Sequence, residues 1–265
     1  MSESVLEIRN VSMSYGDNKI INELNLSVAE GEFIGIIGPN GCGKTTLLNA
    51  VSGSMKIDSG TIFIQQCELD KLSPKERARI VSFVPQNPVL PIGFIVEEIV
   101  LMGRNPHLGL LDWESAKDIE IVHNALRLSG TTKFKDRLIA TLSGGEIQRV
   151  FIARALAQES SIMLLDEPTA HLDIGFQTGV LDLVENIRKQ SSLTVVAAIH
   201  DLTLAAQYCD RLFLIEEGSV TVCGTPSEVI TQDNIRRVFG VHVEIMLHPI
   251  YNTPVVLPIS SRIAS

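Results

Sequence analysis

No apolar run in this chain approaches the roughly 20 residues a helix needs to cross a bilayer, so any role at a membrane is expected to come through a separate partner. Met1 to Ser4 have neither the basic nor the apolar region of a secretory signal. The four cysteines, Cys42, Cys67, Cys209 and Cys223, form no C-x-x-C pair, and their spacings suit neither zinc nor a disulfide framework. They read as reduced thiols of a cytosolic protein. Basic charge is short as well. With 22 Lys and Arg against 31 Asp and Glu, the net charge is −9, which argues against a general nucleic-acid binder, because affinity for a phosphate backbone needs a basic surface. Internal repeats and low-complexity segments are missing too. Aromatic content is low, at 5%, and hydrophobic content is ordinary, at 45%. The 265 residues suffice for one large domain, or one with a sub-domain, around a packed core.

What is present centres on Ile34 to Thr46. An apolar run reads as a buried strand that stops at Gly38, and a turn follows through Pro39, Asn40, Gly41, Cys42 and Gly43. Lys44-Thr45-Thr46 then opens an apolar-periodic helix with Leu47, Leu48 and Val51. This is strand, loop and helix around G-x-x-x-x-G-K-T, the P-loop pattern. Glycines let consecutive backbone N–H groups turn inward around an anion. The helix starting near Lys44 brings its positive dipole end to the same point. Lys44 is placed to reach terminal phosphates, and the Thr45 hydroxyl to ligate Mg²⁺.

Alternation predicts a half-buried strand over Val5 to Asn10 and a second over Ile20 to Val28, with a turn at Tyr15 to Asn18. Ser73-Pro74-Lys75-Glu76 and Thr225-Pro226-Ser227-Glu228 both read as capping boxes. Residues 88–158 read as a mostly helical insertion, with Ile95 to Met102 strongly apolar and a helix over Trp113 to Leu128 capped by Asp112. Continuous apolar runs at Ile162 to Leu165 and Leu193 to Ile199 suit a parallel sheet covered on both faces. Glu217-Gly218 signals a hairpin. The tail from Val241 reads as extended, turning near Asn252. The fold class is α/β: a core over 1–87 and 159–240, an N-terminal antiparallel β portion, the helical insertion, and a tail over 241–265.

Three further stretches carry chemistry. The Ile162 strand ends on Asp166 and Glu167, whose side chains point apart. Asp166 is placed to hold Mg²⁺ through its water ligands and Glu167 to orient and deprotonate an attacking water. A third strand ends at His200. In a parallel sheet every strand delivers its carboxyl end to the ligand-binding edge, where His200 would meet a γ-phosphate or the attacking water. Finally, Ser143 and Glu146 in Leu142-Ser143-Gly144-Gly145-Glu146 form a capping box, and Gly144 and Gly145 expose N–H groups there as a second anion-binding nose. Two such noses in one chain are reconciled if two copies meet face to face, each closing its nose over the other's nucleotide.

On these motifs the chain resembles the ATPase subunits of ATP-binding cassette (ABC) transporters, over about residues 5–240 with every motif in order. Leu142 to Glu146 matches the family signature and Ile162 to Glu167 its Walker B strand. The resemblance implies that the chain binds and hydrolyses ATP with Mg²⁺. By resemblance Tyr15 stacks on adenine, Gln86 is the Q-loop glutamine that touches Mg²⁺ and senses the permease, Asp173 of the D-loop Ala170 to Asp173 crosses a dimer interface, and His200 is the switch histidine. Cys42 stands where the family usually has a small residue and raises thiol sensitivity, Thr45-Thr46 replaces the commoner Ser-Thr, and His171 occupies a variable position of the D-loop. Gly103-Arg104-Asn105-Pro106-His107, His200-Asp201-Leu202 and Cys209-Asp210-Arg211 resemble importers of iron–siderophore, haem and vitamin B12, with molybdate importers close by. The implied partners are a second copy, separate transmembrane permease subunits and, indirectly, an extracytoplasmic binding protein, with no nucleic acid. The implied location is the inner face of the cell membrane. The other reading is a non-transport ABC ATPase of assembly or repair. The long coiled-coil or zinc insertions of such proteins are missing here.

Overall fold

One extra residue turns the first strand over. β1 (Ser4–Tyr15) pairs antiparallel with β2 (Asn18–Ala29). Leu6 and Ile8 are buried, and then Val11 and Met13. The parity changes at Asn10, whose φ is +49° and where the pairing slips between Ile8↔Leu26 and Val11↔Leu24. This is a β-bulge. It is held by Asn10 N–H donating to Asn25 Oδ1 (3.0 Å) and Asn25 Nδ2 donating to Asn10 Oδ1 (2.9 Å). The strand expected to end at Asn10 therefore runs on to Tyr15 with the opposite set of residues inward.

The computed structural model describes residues 4–90, 92–109, 112–170 and 172–259. After β2 come β3 (Phe33–Ile37), α1 (Lys44–Val51), β4 (Ser59–Ile64) and β5 (Cys67–Glu68). Next are α2 (Pro74–Ile80), β6 (Val81–Val84), α3 (Val96–Leu101), α4 (Ala116–Leu128), α5 (Gly144–Ala157), β7 (Ile162–Asp166) and α6 (Ile174–Gln190). The chain finishes with β8 (Thr194–Ala198), α7 (Leu202–Tyr208), β9 (Arg211–Glu216), β10 (Ser219–Gly224), α8 (Pro226–Val229), α9 (Gln232–Phe239) and a hairpin of β11 (Val243–Leu247) with β12 (Pro254–Pro258).

These elements form two units. One takes the chain up to Leu69 and again from Val196, and the other is Asp70–Val195. In the first, β2, β1, β4 and β5 make an antiparallel sheet in that order, while β3 pairs in parallel with β9 and β9 antiparallel with β10. In the second, β6 pairs in parallel with β7, and α3, α4 and α5 share a core through Ile99, Val122, Leu126 and Val150. β3, β7 and β8 are buried at every position, which is what their unbroken apolar sequences require.

The helix expected from Trp113 begins later. Ser115 is its N-cap: the Ser115 hydroxyl accepts from Asp118 N–H (3.3 Å), and Ser115 N–H donates back to Asp118 Oδ2 (2.9 Å). Asp112 is not the cap. It accepts from Gly109 N–H (2.8 Å) and closes the preceding loop. The reciprocal Ser115–Asp118 box satisfies two end groups of the helix where Asp112 alone would satisfy one. The Ser73–Glu76 box forms as expected.

Candidate functional site

In the first unit the P-loop is shaped by what surrounds it. Gly38 has φ +155°, and a Cβ there would stand 2.3 Å from the Ile215 carbonyl oxygen, so only glycine lets the loop leave β3 against β9. β3 itself is clamped at its start. Phe33 N–H donates to Asp210 Oδ2 (2.8 Å), Asp210 N–H donates back to the Phe33 carbonyl (2.8 Å), and Arg211 Nη1 meets Glu32 Oε1 (2.9 Å). The Cys209-Asp210-Arg211 stretch thus anchors the strand that carries the loop. α1 begins at Lys44, after Gly43 in a left-handed conformation. The Lys44 side chain lies inside the loop and donates from Nζ to the Gly38 (2.9 Å) and Pro39 (3.1 Å) carbonyls, so the ammonium stands at the focus of the loop. Thr45 and Thr46 open the helix behind it.

Cys42 is buried. Burial pushes its thiol up, and the nearby Lys44 charge only partly opposes this, so the residue rests as a neutral thiol. Tyr15 is exposed at the end of β1, with its hydroxyl 3.7 Å from the Met55 sulfur. His200 follows β8. Ile199 N–H donates to the Ile36 carbonyl (3.1 Å), which puts His200 at the same strand end as Gly38 within this unit. Asp201 beside it caps α7 by accepting from Thr203 (2.8 Å) and Leu204 (3.0 Å) N–H groups.

The second unit holds the carboxylates. Asp166 ends β7 and is buried. Glu167 follows with φ +44°, a backbone conformation that costs a non-glycine residue about 1–3 kcal/mol and persists only where the surroundings enforce it. Gln86, just past β6, donates from Nε2 to Glu167 Oε2 at 2.7 Å. The pairing of β6 with β7 brings these residues together. A single sequence holds no signal for that contact between residues 81 positions apart.

The same unit carries Ser143 to Gly145. Ser143 and Gly144 are exposed at the start of α5, and Gly145 is buried. Glu146 reaches back and accepts from both the N–H (2.9 Å) and the hydroxyl (2.9 Å) of Ser143, bonds that hold its carboxyl below the usual range. The Ser143 N–H is thereby satisfied and the turn is fixed. Asp173 caps α6, its Oδ1 accepting from Phe176 N–H (3.1 Å). His171 lies outside the described residues. The sequence motifs do not single out Phe176, and they mark the Gly103 to His107 stretch only by family resemblance. In the structure Arg104 is a buried hub, with Nε on Asp118 Oδ1 (2.8 Å) and Nη1 on the Ala157 carbonyl (2.7 Å) and Glu159 Oε2 (2.8 Å). An arginine just after the apolar run Ile95 to Met102 was the available signal.

The family described as ABC transporter matches residues 21–170. The petrobactin import ATP-binding protein of Bacillus anthracis is 39% identical over 256 residues, covering 97% of this chain and 94% of the relative. The ferric enterobactin transport ATP-binding protein of Escherichia coli K12 is 37% identical, covering 98% and 96%. Among solved structures, a chain of a metal-chelate type ABC transporter in an inward-facing conformation superposes with a TM-score of 0.86 at 26% identity, covering 98% of this chain and all of that one.

Proposed function

The chain belongs to the ABC transporter family, and from that premise we propose that it is the ATP-hydrolysing subunit of an importer whose cargo is a metal chelate: an iron–siderophore complex, haem or cobalamin. The observation that carries the catalytic part is the 2.7 Å contact between Gln86 and Glu167, in which a neutral amide donor fixes where the carboxylate stands. The importer part rests on near-full-length similarity to import ATP-binding proteins.

In this reading Gly38 to Thr46 bind the ATP phosphates, Lys44 neutralises their charge, Tyr15 stacks on the base, and Glu167 takes the proton of the attacking water while His200 holds the γ-phosphate or that water. Mg²⁺ prefers hard oxygen donors and keeps several waters. The Thr45 hydroxyl, the Asp166 carboxylate and the amide oxygen of Gln86 are donors of that kind, and the ion supplies charge neutralisation on the phosphates. Ser143 to Gly145 and Asp173 serve the nucleotide of a second copy, which the exposure of Ser143 and Gly144 at the start of a 14-residue helix supports. Among the described residues no helix is long and apolar enough to cross a membrane. The chain reaches the inner face of the membrane through a permease, which docks near Gln86 and the 88–104 stretch, where Val89 and Ile92 are almost fully exposed. An external binding protein delivers the cargo to that permease.

Glu167→Gln tests the assignment. It keeps an acceptor for Gln86 and removes the base, so ATP binding should persist while turnover falls by about 10²–10⁴-fold and a nucleotide-bound dimer accumulates. Full turnover in that variant would remove Glu167 from catalysis. Uptake of ferric chelates into vesicles carrying the chain with its permease tests the cargo. ATP turnover without such uptake would reassign it.

A further inference from the structure

α5 and α6 touch where each, in turn, has no side chain. A Cβ on Gly145 would stand 2.4 Å from Phe176 Cδ1, 2.8 Å from its Cγ and 3.0 Å from its Cε1, so the ring fills the place where a side chain on residue 145 would stand. One turn on, the roles exchange. Arg149 Nη2 donates to the Gly179 carbonyl at 3.1 Å, and a Cβ on Gly179 would stand 2.7 Å from that nitrogen. Gly145 and Arg149 are four apart on one face of α5, and Phe176 and Gly179 three apart on one face of α6. The two contacts therefore fix both the spacing and the axial register of the helix pair.

The upper contact lies at the nose itself. Phe176 is in the first turn of α6, and its own N–H is the one that Asp173 caps. Phe176 remains 38% exposed, so burial is a poor account of an aromatic residue here. Its ring is pressed on the backbone of Gly145, directly beneath the exposed Ser143 and Gly144. We infer that Phe176 is a positioning residue for the signature turn: it sets where the α5 N–H groups stand relative to the nucleotide of the second copy. This rests on the reading that Ser143 to Gly145 act across a dimer. Without the ring, the first turn of α5 loses its lateral stop, and a misplacement of about 1 Å in a binding geometry costs up to about a hundredfold.

The test uses the full chain in a Glu167→Gln background, so that hydrolysis does not drain the ATP-bound state. ATP affinity is measured on dilute chain with a fluorescent ATP analogue, and ATP-driven dimerisation by sedimentation. Phe176→Ala should weaken dimerisation by about tenfold at unchanged ATP affinity, and Phe176→Tyr, which keeps the ring, should restore it. Ile174→Ala removes a neighbour in the same turn that is 81% exposed, so it should have a smaller effect. The inference is overturned if Phe176→Ala dimerises normally, if it loses ATP affinity in parallel, or if Ile174→Ala is equally harmful. Ser143→Arg separates the two levels. If it blocks dimerisation while Phe176→Ala does not, the positioning role alone fails. If Ser143→Arg also dimerises normally, the composite site fails and the positioning role goes with it.

Discussion

Arg104→Met removes a cation from a place that water hardly reaches. The Arg104 side chain is 5% exposed and that of Asp118 11%, whereas Glu159 is 50% exposed. Glu159 returns to solvent when Arg104 goes, so its share of the loss is at most about 1 kcal/mol. Asp118 is left buried with Ser115 as its remaining donor. Breaking such a pair from one side costs about 3–5 kcal/mol, and the Ala157 carbonyl, left unmet, adds about 1 kcal/mol. Methionine refills much of the volume, so the net expectation is a loss of about 3–4 kcal/mol at pH 7. Urea unfolding followed on the 70–195 unit should show the midpoint drop by more than about 1 M at an m-value near 3 kcal/mol/M. The pH dependence has a definite sign. The Ser115 hydroxyl and N–H, and then Arg104, hold the Asp118 carboxyl well below the usual carboxylate range. A depressed value stabilises fully above the ordinary pKa of about 4 and is lost as pH falls through the folded value. Without Arg104 the carboxyl protonates at a higher pH than in the parent, so the gap between parent and variant should stay constant above about pH 4 and narrow as the pH falls below it. Asp118→Asn combined with Arg104→Met should cost less than the sum of the single changes. A loss below about 1 kcal/mol at pH 7, or a gap that does not change with pH, would refute this account of the pair.

Two other changes follow from the first unit. Cys42 is held as a neutral thiol by burial, so N-ethylmaleimide at pH 7.5 should label the exposed Cys67 and Cys223 first, with Cys42 following only above the ordinary thiol pKa of about 8.5 or on unfolding. Mass mapping of labelled peptides reads the order, and equal labelling of Cys42 and Cys67 at pH 7.5 would contradict it. Asp210→Ala removes the acceptor of Phe33 N–H and frees the start of the P-loop strand. It should cost about 1.5–3 kcal/mol in denaturant unfolding and weaken ATP binding, whereas an unchanged ATP affinity would separate the clamp from the loop.

What the sequence made legible was local. The P-loop could be read because glycine spacing, Lys44 and the flanking apolar runs all lie between Ile34 and Val51, and the Ser73 box because cap and partner are three apart. The readings that shifted did so for physical reasons. Asn10 bulges and reverses the parity of β1, so alternation broke where the strand did not. Ser115 with Asp118 outcompetes Asp112 as a helix start, and Trp113, which suggested helical spacing, is exposed. The bond from Gln86 to Glu167, the Arg104 hub and the Phe176 ring under Gly145 each join residues far apart in sequence or on different elements. Spacing carries no signal for such contacts before β6 pairs with β7 and α5 packs on α6.

Within the 70–195 unit these non-local contacts form a continuous frame around the loop that carries Gln86. Gln158 donates from Nε2 to the carbonyls of Ala78 and Val81, and its backbone carbonyl accepts from His107 Nε2 at 2.9 Å. Arg79 donates to the Pro106 carbonyl at 2.9 Å, and Lys75 to that of Leu108. The 102–108 segment is therefore bound to the α2–β6 junction, and through Arg104 to the end of α5. At its other end the loop is pinned where Val96 N–H donates to the Arg137 carbonyl (3.0 Å) and Ile139 N–H to that of Phe94 (3.0 Å). Between these fixed points Val89 and Ile92 are exposed, while Leu90 packs against the helical core. Both exposed residues lie on the loop whose Gln86 side chain donates to Glu167. The Gly103 to His107 stretch, which in the sequence only suggests a sub-family, is thus part of a hydrogen-bonded frame that joins α2, β6 and the end of α5.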